Sequence, residues 1–222
     1  MSSRRMSIRT LVVLAALMLT AAAPPAFPER PANRADALAA LAHADATTRA
    51  EAIGWIANFG GMDDSALLHE RLRDESPVVR SFAEQGLWQL WSRSGDDVID
   101  QLMALGVEHM QAGRYAESIE VFSEAIRAKP QFAEAWNKRA TVLYLAGQFR
   151  ESIADCDEVL KRNPRHFGAL SGLGQIYVQL EQPEQALEWY RRALEVNPNM
   201  LGVALSIKQI EQHLRPKRGR EI

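Results

Sequence analysis

The sequence predicts an all-α protein: a right-handed α-solenoid of stacked helical hairpins, closed at its C-terminal end by one further helix. Three observations predict it. Pro130, Pro164 and Pro198 follow one another at intervals of 34 residues. The letters between them recur in register: Tyr115-Ala116-Glu117-Ser118-Ile119 returns as Phe149-Arg150-Glu151-Ser152-Ile153, then as Pro183-Glu184-Gln185-Ala186-Leu187. Alanine, leucine, glutamate and arginine dominate, and β-branched runs are scarce. A fixed period of this length marks one supersecondary unit stacked on itself.

The whole chain sets outer bounds. Its 222 residues are 47% hydrophobic and 24% charged, as in a globular protein of one or two domains. Net charge is -2, and residues 1–22, which hold Arg4, Arg5 and Arg9 and no acid, conceal a more acidic remainder of 23 basic against 28 acidic side chains. That balance speaks against general nucleic-acid binding, which needs a basic face. The single cysteine, Cys156, forms no internal disulfide and sits at a core-facing repeat position, where a buried structural thiol is expected.

From the start of the chain, Met1 to Arg9 is basic and Leu11 to Ala23 is an apolar run of thirteen residues. Small residues and prolines come next. This is the layout of a secretory signal peptide over residues 1–22, with cleavage expected after Ala22 because Pro24 blocks the next bond. A retained anchor through residues 11–23 is the alternative; the run falls short of the ~20 residues a helix needs to span a bilayer. Ser3-Arg4-Arg5-Met6-Ser7-Ile8-Arg9 resembles a twin-arginine export signal but lacks the usual aromatic or leucine after the variable residue, so an ordinary basic start is preferred. Residues 23–32, with four prolines between Pro24 and Pro31, read as an extended linker.

Residues 33–96 read as four helices that repeat at 31 residues: Leu41, Arg49, Ala52, Ile56 and Phe59 correspond to Leu72, Arg80, Ala83, Leu87 and Leu90. Asp45 and Ser76 are placed as N-caps, and Pro77 stands in the first helical turn, where its missing N–H costs nothing. Leu72-Arg73-Asp74-Glu75-Ser76-Pro77-Val78-Val79-Arg80, with Ala83 and Leu87, resembles HEAT repeats. The resemblance implies that arginine and aspartate pair between neighbouring units, making Arg49 and Arg80 structural. The other reading of this region is a four-helix cap on the 34-residue array. Trp55, Trp88 and Trp91 lie here and are expected to fill a core.

The 34-residue units run over 99–132, 133–166 and 167–200. Large residues at the fourth, seventh and eleventh positions form one face of each first helix, as at Leu102, Trp136 and Leu170. Small residues at the eighth and twentieth positions (Gly106, Ala140, Gly174; Ser118, Ser152, Ala186) let the two helices approach. Arg139 and His109 depart from the pattern and are expected to be partly exposed. These residues resemble the tetratricopeptide repeat (TPR) family over about 100 of the 222 residues. The complete expectation is therefore HEAT-like units followed by TPR units and a capping helix over 201–214, read from Leu201, Leu205, Ile207, Ile210 and Leu214. Residues 215–222 form a basic tail.

The resemblance implies that the first helices of the units line a concave face, into which positions two, five, nine, twelve and thirteen point. The candidate groove residues are Met103, Val107, Met110 and Gln111 in the first unit, Asn137, Thr141, Tyr144 and Leu145 in the second, and Ser171, Gln175 and Gln179 in the third. Asp100, Glu134 and Gly168 hold position two. Such a set suits an extended peptide or a partner helix: Asn137 and Gln175 offer donor and acceptor to a peptide backbone, and Met103, Met110 and Tyr144 accommodate apolar side chains. The basic carboxylate clamp of some TPR proteins is not matched, since Met103, Val107, Gly168 and Ser171 stand where its residues belong.

No phosphate-binding glycine loop, GxSxG, HExxH or CxxC occurs, and His43, His69, His109, His166 and His213 are scattered. Asp155, Asp157 and Glu158 read as a solvated face, with Asp157 and Lys161 as an i,i+4 pair. The expectation is a non-catalytic scaffold without cofactor or metal, binding a protein or peptide partner, exported to the bacterial periplasm or tethered to the inner membrane. A small-ligand or glycan module on the tryptophan-bearing N-terminal helices, and a membrane-tethered assembly factor, are the alternatives.

Overall fold

A computed structural model describes residues 30–214. The signal-like residues 1–22, the linker as far as residue 29 and the tail 215–222 lie outside the described residues. Eleven α-helices make up the described part: α1 (Arg34–Ala40), α2 (Ala46–Phe59), α3 (Ser65–Arg71), α4 (Pro77–Ser92), α5 (Asp97–Gln111), α6 (Tyr115–Ala128), α7 (Ala133–Leu145), α8 (Phe149–Arg162), α9 (Phe167–Gln179), α10 (Pro183–Val196) and α11 (Leu201–Leu214). None is long and apolar enough to cross a membrane.

Three antiparallel pairs, α5/α6, α7/α8 and α9/α10, form the array. Their close approach depends on the small residues. A Cβ on Gly106 would stand 2.5 Å from the Phe122 ring, and one on Gly174 would run into the Tyr190 ring. Ser118 and Ser152 are buried, and each hydroxyl donates 2.7 Å to the carbonyl of the small residue on the facing helix, Gly106 and Ala140. The tight turns inside the first two pairs place Gly113 and Gly147 at positive φ, where the absence of a Cβ removes the clash. Glu181 takes the same place in the third, with φ 57°.

The N-terminal pairs, α1/α2 and α3/α4, enclose a core of Ile53, Ile56, Leu68, Leu72 and Leu87. Asp45 caps α2 by accepting from the Thr48 N–H at 2.8 Å. Ser76 precedes α4 without a side-chain capping bond; Asp74 Oδ1 accepts from the Ser76 N–H at 2.9 Å instead. The two units are joined by Arg49, which donates from Nε and Nη2 to the Asp74 carboxylate at 2.9 and 2.8 Å. Arg80 donates to the Asp74 and Glu75 carbonyls at 2.9 and 3.0 Å. Pro31, within the expected linker 23–32, is buried and borders a recess with residues of α2.

Sequence order suggests that these pairs extend the solenoid at its first helix. They are instead laid against the turns that join one unit to the next. Trp88 and Trp91 of α4 pack on His166 and Phe167. Asn199 Nδ2 donates to the Leu72 carbonyl at 2.7 Å. Lys129 donates to the Ser94 carbonyl and Arg73 to the Glu195 carbonyl. The consequence shows on α5, whose Val98 and Leu105 stay exposed.

At the other end, α11 packs on α10, with Arg191 and Glu211 paired at 2.8 Å. It does not bury its whole apolar set: Leu201 and Leu205 are 76% and 59% exposed. Residues 205 and 207 point to opposite sides of a helix, so Leu205 and Ile207 cannot both face α10.

Candidate functional site

The first helices α5, α7 and α9 lie side by side and present the concave face. Between α7 and α9 a recess of about 60 Å³ opens. Asn137, Thr141 and Tyr144 of α7 line one wall, Gly168, Gly172 and Gln175 of α9 the other, and Cys156 of α8 the floor. Gly172 keeps it open: the nearest atom to a Cβ there is Cys156 Sγ at 3.8 Å.

The recess is uncharged and of mixed polarity, its apolar surface the larger part. Asn137 is only 8% exposed and reaches the recess from its floor side; its Nδ2 donates to Glu134 Oε2 at 3.0 Å, which fixes the amide and turns its carbonyl side away from that partner. The Thr141 hydroxyl donates back to the Asn137 carbonyl at 3.0 Å. Tyr144 is half-buried beside Phe149, with ring centroids 5.8 Å apart. Gln175 is exposed. The Cys156 thiol is pushed up to about 12 by burial and by the neighbouring Asp155 and Asp157 carboxylates, so it stays protonated.

The structure thus brings Asn137, Thr141, Tyr144 and Gln175 together. Leu145, exposed at the end of α7, and Gln179, exposed at the end of α9, lie further along the same face. Ser171 is half-buried and its hydroxyl donates to the Gly168 carbonyl at 3.0 Å. In the first unit, Gln111 is exposed, while Val107 and Met110 pack against the apolar cluster that joins α5, α6 and α7. Met103 is a correction: it packs within that cluster, with Phe122 and Val142, and does not line the recess.

Position two is the second correction. All three residues there make contacts within the chain, although Asp100 stays exposed and Gly168 also edges the recess. Asp100 accepts from Ser94 N at 3.2 Å. Gly168 lies against the Trp88 ring, which stands where a Cβ would project. Glu134 is 1% exposed, held by His166 Nε2 at 3.2 Å and by the Lys138 ammonium at 3.2 Å. His166 Nδ1 accepts from the Ala169 N–H at 3.1 Å, capping α9, so the ring proton is assigned to Nε2 and donates to Glu134. Burial works to raise the Glu134 carboxyl, but the bond from His166 and the charge of Lys138 outweigh it and hold it below its ordinary value. Trp91 stacks on His166 at 4.3 Å. One edge of the concave face is therefore walled by α4.

The charge readings change as well. Arg139 donates from Nε and Nη2 to the Asp155 carboxylate, both at 2.7 Å, and from Nη1 to Ser123 at 2.9 Å. Asp155 is buried in this pair rather than solvated, because position seven of α7 faces α8. Lys161 pairs with Glu158 at 2.6 Å, not with Asp157. Lys138 and Arg139, the basic side chains nearest the recess, are both neutralised inside the fold. Trp88 and Trp91 are committed to the joint, while Trp55 lines an open recess with Phe59 and Phe82. Among the described residues no group of three or more histidine, cysteine, aspartate or glutamate side chains is placed to hold a metal ion. The Glu134–His166 contact, 32 residues apart, leaves no mark on the sequence, because neither residue belongs to the repeat's shared pattern.

Known proteins match the same stretch. A family model described as Tetratricopeptide repeat matches residues 131–199, and one described as TPR repeat matches residues 106–147. A TPR repeat-containing protein of Rhizobium etli is 33% identical over 132 residues, 60% of this chain and 65% of its own length. Hsp70-Hsp90 organizing protein 1 of Glycine max is 26% identical over 120 residues, 52% of this chain and 21% of its own length. The chain thus spans less than two thirds of either relative. The first TPR domain of Spaghetti (RPAP3), solved with an HSP90 peptide, superposes with a TM-score of 0.50 at 25% identity over 52% of this chain and 92% of that one. The type III secretion translocator chaperone SycD of Yersinia enterocolitica gives 0.52 at 16% identity over 53% and 95%, a likeness of fold.

Proposed function

This chain belongs, over residues 106–199, to the tetratricopeptide repeat family, and we propose that it is a non-catalytic scaffold that holds an extended peptide or partner helix across α7 and α9. Proteins of this family serve as peptide-binding interaction modules, as in the Spaghetti domain solved with an HSP90 peptide. The observation that carries the reading is the recess where Asn137, Thr141, Tyr144 and Gln175 converge. The Asn137 and Gln175 amides offer donors and acceptors to a peptide backbone, and Tyr144 offers an apolar surface with a polar tip.

The charge pattern narrows the partner. With Lys138 held by Glu134 and Arg139 by Asp155, no basic pair is left to grip a terminal carboxylate. The ligand is an uncharged or mixed segment with apolar side chains rather than an acidic C-terminus. Export is part of the proposal and rests on the basic start and short apolar run of residues 1–22. Amino-terminal sequencing of the mature protein tests the cleaved form: a start at Ala23 supports it, and an intact Met1 contradicts it in favour of the retained anchor.

The binding claim is tested by selecting from a displayed random-peptide library on the purified chain. Peptides rich in apolar residues, weakened about tenfold by Asn137→Ala with Gln175→Ala, are expected. Selected peptides with acidic termini whose affinity ignores both substitutions overturn the reading.

A further inference from the structure

A second recess lies on the N-terminal helices, apart from the concave face. It measures about 480 Å³, within the roughly 300–1,000 Å³ of small-molecule pockets. Trp55 and Phe59 of α2 stand with ring centroids 5.3 Å apart, and Phe82 of α4 faces them across the opening.

Three features there have no account in the packing of the chain. The Glu51 carboxylate lines the recess, and its Oε2 is shut off from solvent yet accepts no hydrogen bond among the described residues. Arg30, at the rim, donates nothing to that oxygen. Phe59 is 71% exposed, although the 31-residue period matches it to Leu90, which is 2% exposed. Gly54 stands in the middle of α2 and lines the recess, with nothing within 4 Å of where its Cβ would be. No neighbour requires that gap, and glycine weakens a helix interior relative to alanine.

The three features share one explanation. A withdrawn carboxylate oxygen costs free energy until a charge or donor reaches it. Aromatic faces beside it attract a cation through their quadrupoles and exclude water from it. The missing side chain at Gly54 leaves room for a compact group at the centre. We propose that this recess binds an alkylammonium head group, with Glu51 as counter-charge and Trp55, Phe59 and Phe82 as its aromatic wall. The site is independent of the groove: its residues lie on α2, α4 and the segment before α1, and none belongs to the α7–α9 recess.

The test uses the full chain, calorimetry and tryptophan fluorescence, with choline as the cation and 3,3-dimethylbutan-1-ol as its neutral isostere of the same shape. Saturable choline binding that perturbs the fluorescence is expected, with the alcohol about tenfold weaker. Glu51→Gln weakens choline to the level of the alcohol and leaves the alcohol unchanged. Gly54→Leu, whose Cβ meets no neighbouring atom, abolishes binding of both while the helical circular dichroism is retained. Equal affinity for choline and the alcohol in the unsubstituted chain overturns the proposal, since the recess is then only an apolar hollow. Absence of saturable choline binding overturns it too. The unsubstituted comparison decides without any variant having to fold.

Discussion

Gly174 and Tyr190 set the tolerance of the helix pairs. With a ring standing where a Cβ would project, Gly174→Ala forces Tyr190 from its seat, and a loss of about 2 kcal/mol in urea unfolding is expected. The Arg139–Asp155 pair works through charge instead. Asp155→Asn leaves the guanidinium half-buried without its counter-charge, and a loss of about 3 kcal/mol is expected in the same measurement. Glu181 gives the opposite sign. It holds a left-handed backbone where the two preceding units have Gly113 and Gly147, so Glu181→Gly stabilises the fold by about 1 kcal/mol. Cys156, buried and held protonated, reacts with a maleimide at neutral pH only as fast as the array opens. Rapid labelling of the native chain would contradict its place on the floor of the recess.

The elements meet most consequentially where α4 lies on the turn before α9. His69, in α3, donates from Nδ1 to the Ser65 carbonyl at 2.8 Å, and its other nitrogen lies 3.3 Å from the Arg165 carbonyl. Burial lowers its pKa from 6.5, outweighing those two carbonyls, which favour the charged ring. Glu134 is likewise lowered, from 4.5. In both, the folded state binds fewer protons than the unfolded chain. Their stabilising contributions are therefore complete above the unfolded values and are lost as pH falls through the folded ones. Urea midpoints are expected to be flat between about pH 7 and 9, to decline below about 6.5 and more steeply below about 4.5, and to decline again above about 9, where the unfolded chain ionises the Cys156 thiol that the fold keeps protonated. A midpoint that rises on acidification below about pH 7 contradicts this joint. Much of the array is legible in the sequence because its helices answer to a repeat: the small residues at positions eight and twenty appear where the helices touch. The joint is not. Trp88 against Gly168 and His166 against Glu134 are contacts that the 31-residue and 34-residue periods do not encode, and no spacing within either region announces them.

At the scale of the whole molecule, the solenoid carries its N-terminal pairs on its flank rather than at its end. At position two, Glu134 is buried and Gly168 is pressed by Trp88, while Asp100 stays exposed, and Met103 is consumed by the core. Binding surface is left at positions nine to thirteen of α7 and α9, with Asn137 of position five behind it. The repeat identifies which residues share the concave face; it does not reveal which stretch of that face another part of the chain covers, since coverage depends on tertiary placement. The groove is tested most directly by placing a photoreactive residue at Tyr144, with a second at the exposed Asp157 as control, and crosslinking in cells. The account predicts one dominant protein adduct from position 144, absent from position 157 and lost when Asn137 and Gln175 are both alanine. The same diffuse adducts from both positions would contradict it.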